Sequence, residues 1–154
     1  MKNKAKQSFA SVILGVLALT TFEASAAVAP HSEEHMEKEA SLIVKGEVVS
    51  LSSKTQKSKV ERGLIIARDR IYKITIKVTS VEKGSGAKAG DEVQVEAWRP
   101  STRFPPMPGP QGHESIPKKG DLVKTYLLHD RDTKTYEPFM PNGIRILREA
   151  RKVK

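Results

Sequence analysis

Two histidines near the start of the chain have the spacing of a metal-binding pair. His31 and His35 are four residues apart, with Glu33 and Glu34 between them, so on a helix the two imidazoles would share one face. With His113 as a further ligand they could hold Zn²⁺ or Cu²⁺, and copper could also take methionine sulfurs from Met36, Met107 and Met140. Metal sites also need groups that orient the ligands, and this segment has few apolar residues to fix it. Metal handling is therefore the alternative prediction, and the main prediction includes no metal or cofactor.

A proline-rich segment, residues 99–120, contains the other candidate functional residues. It holds six prolines and begins directly after Trp98, the only tryptophan of the chain. Loops longer than about 12–15 residues are usually functional or disordered, and proline stiffening lowers the entropy cost of binding. The sequence predicts a surface that binds a protein or a cell-envelope polymer, formed by Trp98, Arg99, Arg103, Phe104 and His113. The alternative is that Trp98 plugs one end of the fold and the segment merely covers it, since a lone tryptophan is usually well buried.

Catalytic chemistry is difficult to assemble from this chain. His113, Glu114 and Ser115 are adjacent, but neighbouring side chains on an extended chain point to opposite sides. The sequence has no nucleophile elbow, no metalloprotease helix motif and no phosphate loop. It has no cysteine, which excludes a thiol nucleophile, a thiolate metal site and a redox pair. We predict a protein without catalytic activity, with a small hydrolase of unrecognised site as a further alternative.

The first 26 residues have the pattern of a cleaved signal peptide. Lys2, Lys4 and Lys6 precede an uncharged apolar stretch from Phe9 to Phe22, and Ala24-Ser25-Ala26 forms a small-residue cleavage site. This stretch of 14 residues is shorter than the roughly 20 that a membrane-spanning helix needs. The sequence predicts a secreted or periplasmic protein with no transmembrane segment after cleavage.

The charge balance is basic. The whole chain carries a net charge of +9, and loss of residues 1–26 would lower it to +7. The charges are mixed along the chain, which favours solubility over a dedicated anionic partner. Exposed aromatic residues for stacking on bases are few, so nucleic acid is not an expected partner. The basic tail, residues 148–154, could contact anionic lipid or envelope polymer, or remain solvated.

The remainder of the chain is predicted to be all-β. After a flexible polar lead-in at 27–39, apolar and polar residues alternate with period two, which is typical of strands with one buried face. Exposed connections are expected at 52–63 and 99–120, and Gly46 is expected to mark a bulge or bend. Short turns favour antiparallel pairing, so residues 40–147 are predicted to form a small five- to six-stranded barrel with strands at 40–51, 70–81, 91–98, 122–129 and 144–147.

The order of these segments resembles the netrin and tissue-inhibitor-of-metalloproteinase (NTR-like) type of OB barrel. The resemblance is carried by ASLIVKGEVVSL, YKITIKVTSVEKGSG, GDEVQVEAW and, after the long loop, GDLVKTYL, and it covers about residues 40–147. The turn at Val78–Gly84 is similar to the Val-x-x-Val-x-Lys-Gly turn of that family. The resemblance implies an OB-like barrel. It does not imply protease inhibition, because the animal inhibitors depend on cysteines that this chain lacks.

Overall fold

The computed structural model describes residues 28–106, 111–130 and 135–150. The predicted signal peptide at 1–26, Met107 and the last four residues of the predicted tail lie outside the described residues. The described residues form one short helix and six strands: α1 Glu33–Glu39, β1 Leu42–Lys57, β2 Ile66–Lys83, β3 Glu92–Phe104, β4 Leu122–His129, β5 Tyr136–Pro138 and β6 Ile144–Arg148. The chain is mostly β, as predicted. Within the described ranges, no helix is long and apolar enough to cross a membrane.

Five of the six strands close into a barrel-like ring. The hydrogen-bonded order is β1-β2-β3-β5-β4, and β4 returns to β1 through six antiparallel pairs from Leu42↔Leu127 to Glu47↔Leu122. β6 pairs with the first half of β4. One contact in the ring is parallel, since β3 and β5 meet at the single pair Val95↔Tyr136. The predicted five- to six-stranded β-domain is confirmed, and the β3–β5 contact is its thinnest seam.

Alternation of apolar and polar side chains builds the core, as the sequence predicts. Successive side chains on a strand point to opposite faces, so every second residue from Ile74 to Val78 of β2 and from Val93 to Ala97 of β3 lies inside the ring. The buried core residues on these two strands are Ile74, Ile76, Val78, Val93, Val95 and Ala97. β1, β4 and β6 add Leu42, Val44, Val48, Val123, Leu127 and Ile144. With no disulfide available, this apolar interior supplies the main driving force for folding.

Three strands continue beyond the ring. β1 pairs with β2 as far as Lys57↔Arg68, and β2 pairs with β3 as far as Ile66↔Phe104. Residues 52–70 and 100–104 are called the arm below. The prediction of connections at 52–63 and 99–120 is therefore wrong for the first residues of each segment. These residues pair with β2 and so belong to strands.

Pro100 does not end β3, because it lies at an irregularity in the ladder. Pro100 faces Asp69, and the register shifts between Arg68 and Asp69. Proline lacks an amide hydrogen and is tolerated in sheets at bulges and edges. Beyond it, the Arg103 guanidinium lies 2.5 Å from the Asp69 carboxylate and donates to the Arg68 carbonyl oxygen at 2.6 Å. These contacts hold the last residues of β3 against β2.

Gly46 marks the bend predicted within β1. The register with β2 shifts between Lys45 and Gly46, while Gly46 also pairs with Val123 of β4. A Cβ added at Gly46 would collide with the Lys77 carbonyl oxygen and the Ile76 side chain. Glycine thus allows β1 to curve between two neighbouring strands and close the ring.

The lead-in predicted as flexible contains α1, which packs against the ring. Met36 is fully buried in a second apolar cluster with Ala40, Ile43, Tyr126 and Phe139. The Ser32 hydroxyl caps the helix by accepting from the His35 backbone N–H at 3.2 Å. One apolar residue in a polar segment was too weak a sequence signal to predict this docking.

Charged side chains hold the polar face of α1. The Tyr126 hydroxyl donates to Glu33 Oε1 at 2.6 Å, and Arg145 lies 2.7 Å from Glu33 Oε2. These contacts lower the pKa of Glu33 to about 2, the Tyr126 hydrogen bond contributing most and Arg145 next. At the other end of α1, Lys83 Nζ donates to the carbonyl oxygens of Glu37 and Lys38 at 2.8 and 2.6 Å. The helix is fixed at both ends.

Candidate partner-binding groove

A groove of about 410 Å³ lies on the face of β2 and β3 turned away from the core. Ile71 and Trp98 are direct partners across these strands, and each is three positions from a core residue, so both point outward. The turn after β1 forms one wall and the end of β5 forms the other. The lining residues are Gln56, Lys57, Ser58, Lys59, Val60, Asp69, Ile71, Glu96, Trp98, Arg103, His113, Glu137, Pro138 and Met140.

The groove has a mixed lining, in which apolar side chains lie beside charged side chains of both signs. Ile71, Trp98 and Met140 are partly exposed there. Lys57 and Lys59 lie on the side of the arm, whereas Glu96 lies on β3 and Glu137 on β5. Arg103 and Asp69 neutralise each other in a largely buried ion pair. A bound molecule would therefore meet an apolar strip between basic and acidic margins.

His113 is built into the wall as a bridge between β3 and β5. Its backbone N–H donates to the Trp98 carbonyl oxygen at 2.8 Å, and its Nδ1 accepts from the Trp98 N–H at 3.1 Å. Because Nδ1 accepts, the ring proton resides on Nε2, which lies 3.2 Å from the Pro138 carbonyl oxygen and donates to it. The imidazole thus hydrogen-bonds to both β3 and β5, next to the single backbone pair that joins these two strands.

Burial keeps this imidazole neutral. His113 is 4% exposed, and desolvation, the main cause, lowers its pKa below the usual 6.5. The hydrogen bond that the ring donates to the Pro138 carbonyl oxygen opposes this shift. Both ring nitrogens are engaged with backbone groups.

Gly112 and Arg99 complete the docking of the 111–116 segment onto β3. Gly112 has a φ of +70°, and a Cβ there would collide with the Trp98 backbone and approach its ring to 3.0 Å. Arg99 Nε donates to the His113 carbonyl oxygen at 2.7 Å. Arg99 and His113 also line a second concavity with Pro30, Gln111 and Pro141. The segment is consequently held close enough to shape the wall beside Trp98.

The structure gathers three of the five predicted binding residues at the groove. Trp98, Arg103 and His113 line it, although His113 contributes through a buried ring. Arg99 lies at the neighbouring concavity, and Phe104 lies at the far end of β3, 64% exposed. Trp98 is outside the core cluster of the ring, so it is not placed as a plug of the interior.

Sequence reasoning missed several groove residues. The sequence predicts Ile71 only as part of a strand, Val60 only as part of the 52–63 connection and Met140 only as a copper ligand. The outward position of Ile71 could have been found, because it falls out of phase with Ile74 and Ile76 in the alternation. Val60 and Met140 carry no local signal, since long-range folding alone brings them together.

The two histidines of the predicted pair lie side by side, although His31 precedes α1 and so does not lie on the helix as expected. The rings of His31 and His35 stack with centroids 4.9 Å apart, and both meet the Phe139 ring edge-on. The His31 backbone is held by the Asn142 side chain at 3.0 and 2.8 Å. Among the described residues, no three histidine, cysteine, aspartate or glutamate side chains are grouped to hold a metal ion. The metal-handling alternative rests on two histidines.

Comparison of the chain with protein-family models, with curated proteins and with solved structures finds no match.

Proposed function

We propose that this chain is an exported, non-catalytic β-domain that binds an extended segment of a partner protein in the groove across Ile71 and Trp98. The observation that carries the proposal is the apolar strip on the outer face of β2 and β3, walled by residues from distant parts of the chain. Concave sites with an apolar floor and a few placed polar groups are the usual form of binding sites. Tryptophan and arginine are also enriched among residues that dominate binding energy.

The position of the groove supports an OB-like, NTR-like assignment as part of this proposal. OB-type barrels bind ligands on the face of strands 2 and 3, between the loops that join strands 1–2 and 4–5. Here the lining residues come from β2 and β3, from the β1–β2 turn at Ser58–Val60 and from the β5 region at Glu137–Met140. The ring closes in the order β1-β2-β3-β5-β4.

The charges of the groove favour a polypeptide over a polyanion. A nucleic acid or an anionic envelope polymer would place like charge beside Glu96 and Glu137. A polypeptide can instead present an apolar side chain to Trp98, acidic groups to Lys57 and Lys59, and basic groups to the opposite rim. The stiff, docked 111–116 segment lowers the entropy cost of such binding.

Export and the absence of catalysis are the remaining parts of the proposal. Export is supported by the signal-peptide pattern of residues 1–26. The non-catalytic role is supported by His113, whose ring nitrogens both serve backbone groups. The processed chain would act in the periplasm or in the external medium.

A selection of random displayed peptides against the purified protein tests the groove. We expect enriched peptides with an aromatic or large aliphatic anchor and charges of both signs. Because Trp98 is the only tryptophan, peptide binding should change the intrinsic fluorescence of the protein. Trp98→Ala should weaken a selected labelled peptide about 30-fold or more, as for a central aromatic anchor.

Two further variants make the result specific. Phe104→Ala removes another aromatic residue of β3 outside the groove and should leave peptide affinity unchanged. Ile71→Ser should weaken binding while circular dichroism confirms retained β-structure. The proposal is overturned if selection enriches no peptide, if soluble envelope glycan fragments alone bind, or if selected peptides bind Trp98→Ala and wild type equally.

A further inference from the structure

The end of the arm exposes a small apolar surface. Leu64 is 96% exposed, Phe104 64%, Ile66 47% and Val60 37%. Ile66 and Phe104 are direct partners at the last pair of β2 and β3, and Val60 and Leu64 lie in the turn that joins β1 to β2. These four residues are called the apolar tip. They include half of the large apolar residues that are exposed among the described residues.

The turn that carries the apolar tip is held in a fixed shape. The Ser58 N–H donates to the Ala67 carbonyl oxygen at 3.0 Å, and the Ile65 N–H donates to Arg62 at 2.9 Å. Glu61 accepts from the Ala67 N–H at 2.9 Å and pairs with Arg68. The apolar tip is therefore carried by an ordered turn. Binding through the tip does not need to order this turn, which lowers the entropy cost of binding.

A strong positive charge surrounds the apolar tip. The arm contains seven lysines and arginines against two acids, Glu61 and Asp69, a net charge of +5. Both acids are neutralised within the arm, by Arg68 and by Arg103. Within the described part of the chain, four cations of the arm have no ion-pair partner: Lys54, Lys59, Arg62 and Arg70.

We propose that the apolar tip and its basic collar dock onto the surface of an anionic lipid bilayer. Basic residues near an anionic membrane surface are attracted to it, and apolar side chains enter the boundary between headgroups and acyl chains. The tip is the end of a projecting hairpin, and Leu64 and Phe104 line neither concavity described above. A fluid bilayer accommodates such projecting side chains, whereas a folded or extended polypeptide would need a matching cavity of its own. Leu64, Ile66 and Phe104 lie outside the groove of the proposed function, whereas Val60 and Lys59 also line its edge.

The absence of native cysteine allows the contact to be measured at one position. Leu64→Cys carries a polarity-sensitive fluorophore in the protein recovered from cells after export, and Ser85→Cys carries it as a control at the opposite end of β2. Vesicles of phosphatidylcholine with phosphatidylglycerol should shift the emission of the label at position 64 to the blue. Vesicles of phosphatidylcholine alone should not, and the label at position 85 should not respond. The local readout separates tip contact from binding through any other part of the chain.

Charge variants test the collar. Arg62→Gln with Arg70→Gln should weaken vesicle binding about fivefold for each charge removed, and rising salt should weaken the wild type in the same direction. The matched control, Lys88→Gln with Lys119→Gln, removes two exposed lysines outside the arm and should have no effect. Leu64→Ser should reduce binding while the charge is unchanged.

The proposal is abandoned on any of three results: no shift at position 64 with anionic vesicles, an equal shift with neutral vesicles, or a shift with soluble polyglutamate but not with vesicles. The last would assign the tip to an acidic polypeptide. Loss of groove peptide binding with vesicle binding intact would instead overturn only the proposed function.

Discussion

At the scale of single residues, His113 is a buried titratable group whose two ring nitrogens both contact backbone groups. A histidine beside a carboxylate and a serine in sequence suggests catalysis, but its ring joins Trp98 on one strand to Pro138 on another. The protonated ring could not accept from the Trp98 N–H, and burial already opposes its charge. Only the neutral form of His113 can therefore make both hydrogen bonds that join β3 to β5.

His113→Ala is expected to lower the free energy of unfolding by about 1–3 kcal/mol at pH 7.5, because two buried backbone groups lose their partner. The folded-state pKa lies below the usual 6.5, so the native state resists protonation more than the unfolded state does. The contribution of His113 is thus complete above pH 6.5 and is lost as the pH falls through the folded-state pKa. Urea unfolding at several pH values should show that the difference in unfolding free energy between the wild type and His113→Ala decreases as the pH falls from 7.5 to 5.

The control for this measurement is His129→Ala, which removes an exposed histidine. Its unfolding free energy should follow that of the wild type across the same pH range. A gap between His113→Ala and wild type that stays constant with pH would contradict a neutral, buried His113.

At the scale of secondary-structure elements, the docking of α1 combines one buried side chain with a set of ion pairs. Met36 supplies the apolar contact, and Glu33 is shared by Tyr126, Arg145 and Lys124. Lys124 also lies 2.9 Å from Glu82 of β2 and 4.9 Å from the centre of the Tyr126 ring. A seven-residue helix is too short to be stable by itself, so these contacts decide whether it forms.

Carboxyl NMR titration should find the Glu33 pKa near 2 in the intact protein. Tyr126→Phe should raise it most and Arg145→Gln next, because these partners favour the charged carboxylate. The depressed pKa means that the contribution of Glu33 to docking is present above the ordinary value of 4.5 and is lost as the pH falls through about 2.

Arg148→Gln serves as the matched control, since it removes an exposed arginine from the same strand, β6, as Arg145. The Glu33 titration should be unchanged in this variant. A Glu33 pKa that remains near 4.5 in the wild type would show that α1 is not held by these contacts in solution.

At the scale of the whole molecule, the ring is closed unevenly. β1 and β4 join through six consecutive pairs, whereas β3 and β5 share the single pair Val95↔Tyr136 and the His113 bridge. Proteins open locally where few buried contacts and hydrogen bonds hold a region. The β3–β5 seam, which forms one wall of the groove, is where the ring is weakest.

Native-state hydrogen exchange should therefore show two classes of amides. The amide hydrogens of core residues in β1, β2 and β4, such as Val44 and Ile76, should exchange only through global unfolding. The Trp98 amide, which donates to His113, should exchange through a smaller opening, and His113→Ala should lower its protection more than that of Val44. Equal protection across all of these amides would contradict a weak seam.

Local patterns in the sequence were sufficient for the central parts of β1, β2, β3, β4 and β6 and for the direction of their side chains, but not for β5 or for the strand residues of the arm. Alternation around Ile74 and Val95 identified the buried faces, and Gly46 identified the bend, because each depends on the backbone geometry of one short segment. The same logic brought His31 and His35 together, but His31 precedes α1, and the contact between the two rings does not come from a shared helix face. For the site, Trp98 and Arg103 could be named from residue type and from the long proline-rich segment.

Tertiary structure alone decided the rest. Pairing with β2 carried β3 past Pro100, and contact with Trp98 and Pro138 converted His113 from a candidate catalyst into a structural bridge. The burial of Met36 and the exposure of Phe104 likewise follow from partners that are distant in sequence. The physical reason is that alternation reports which side of a strand is buried, whereas hydrogen-bonding partners are set by long-range register, which no short segment contains.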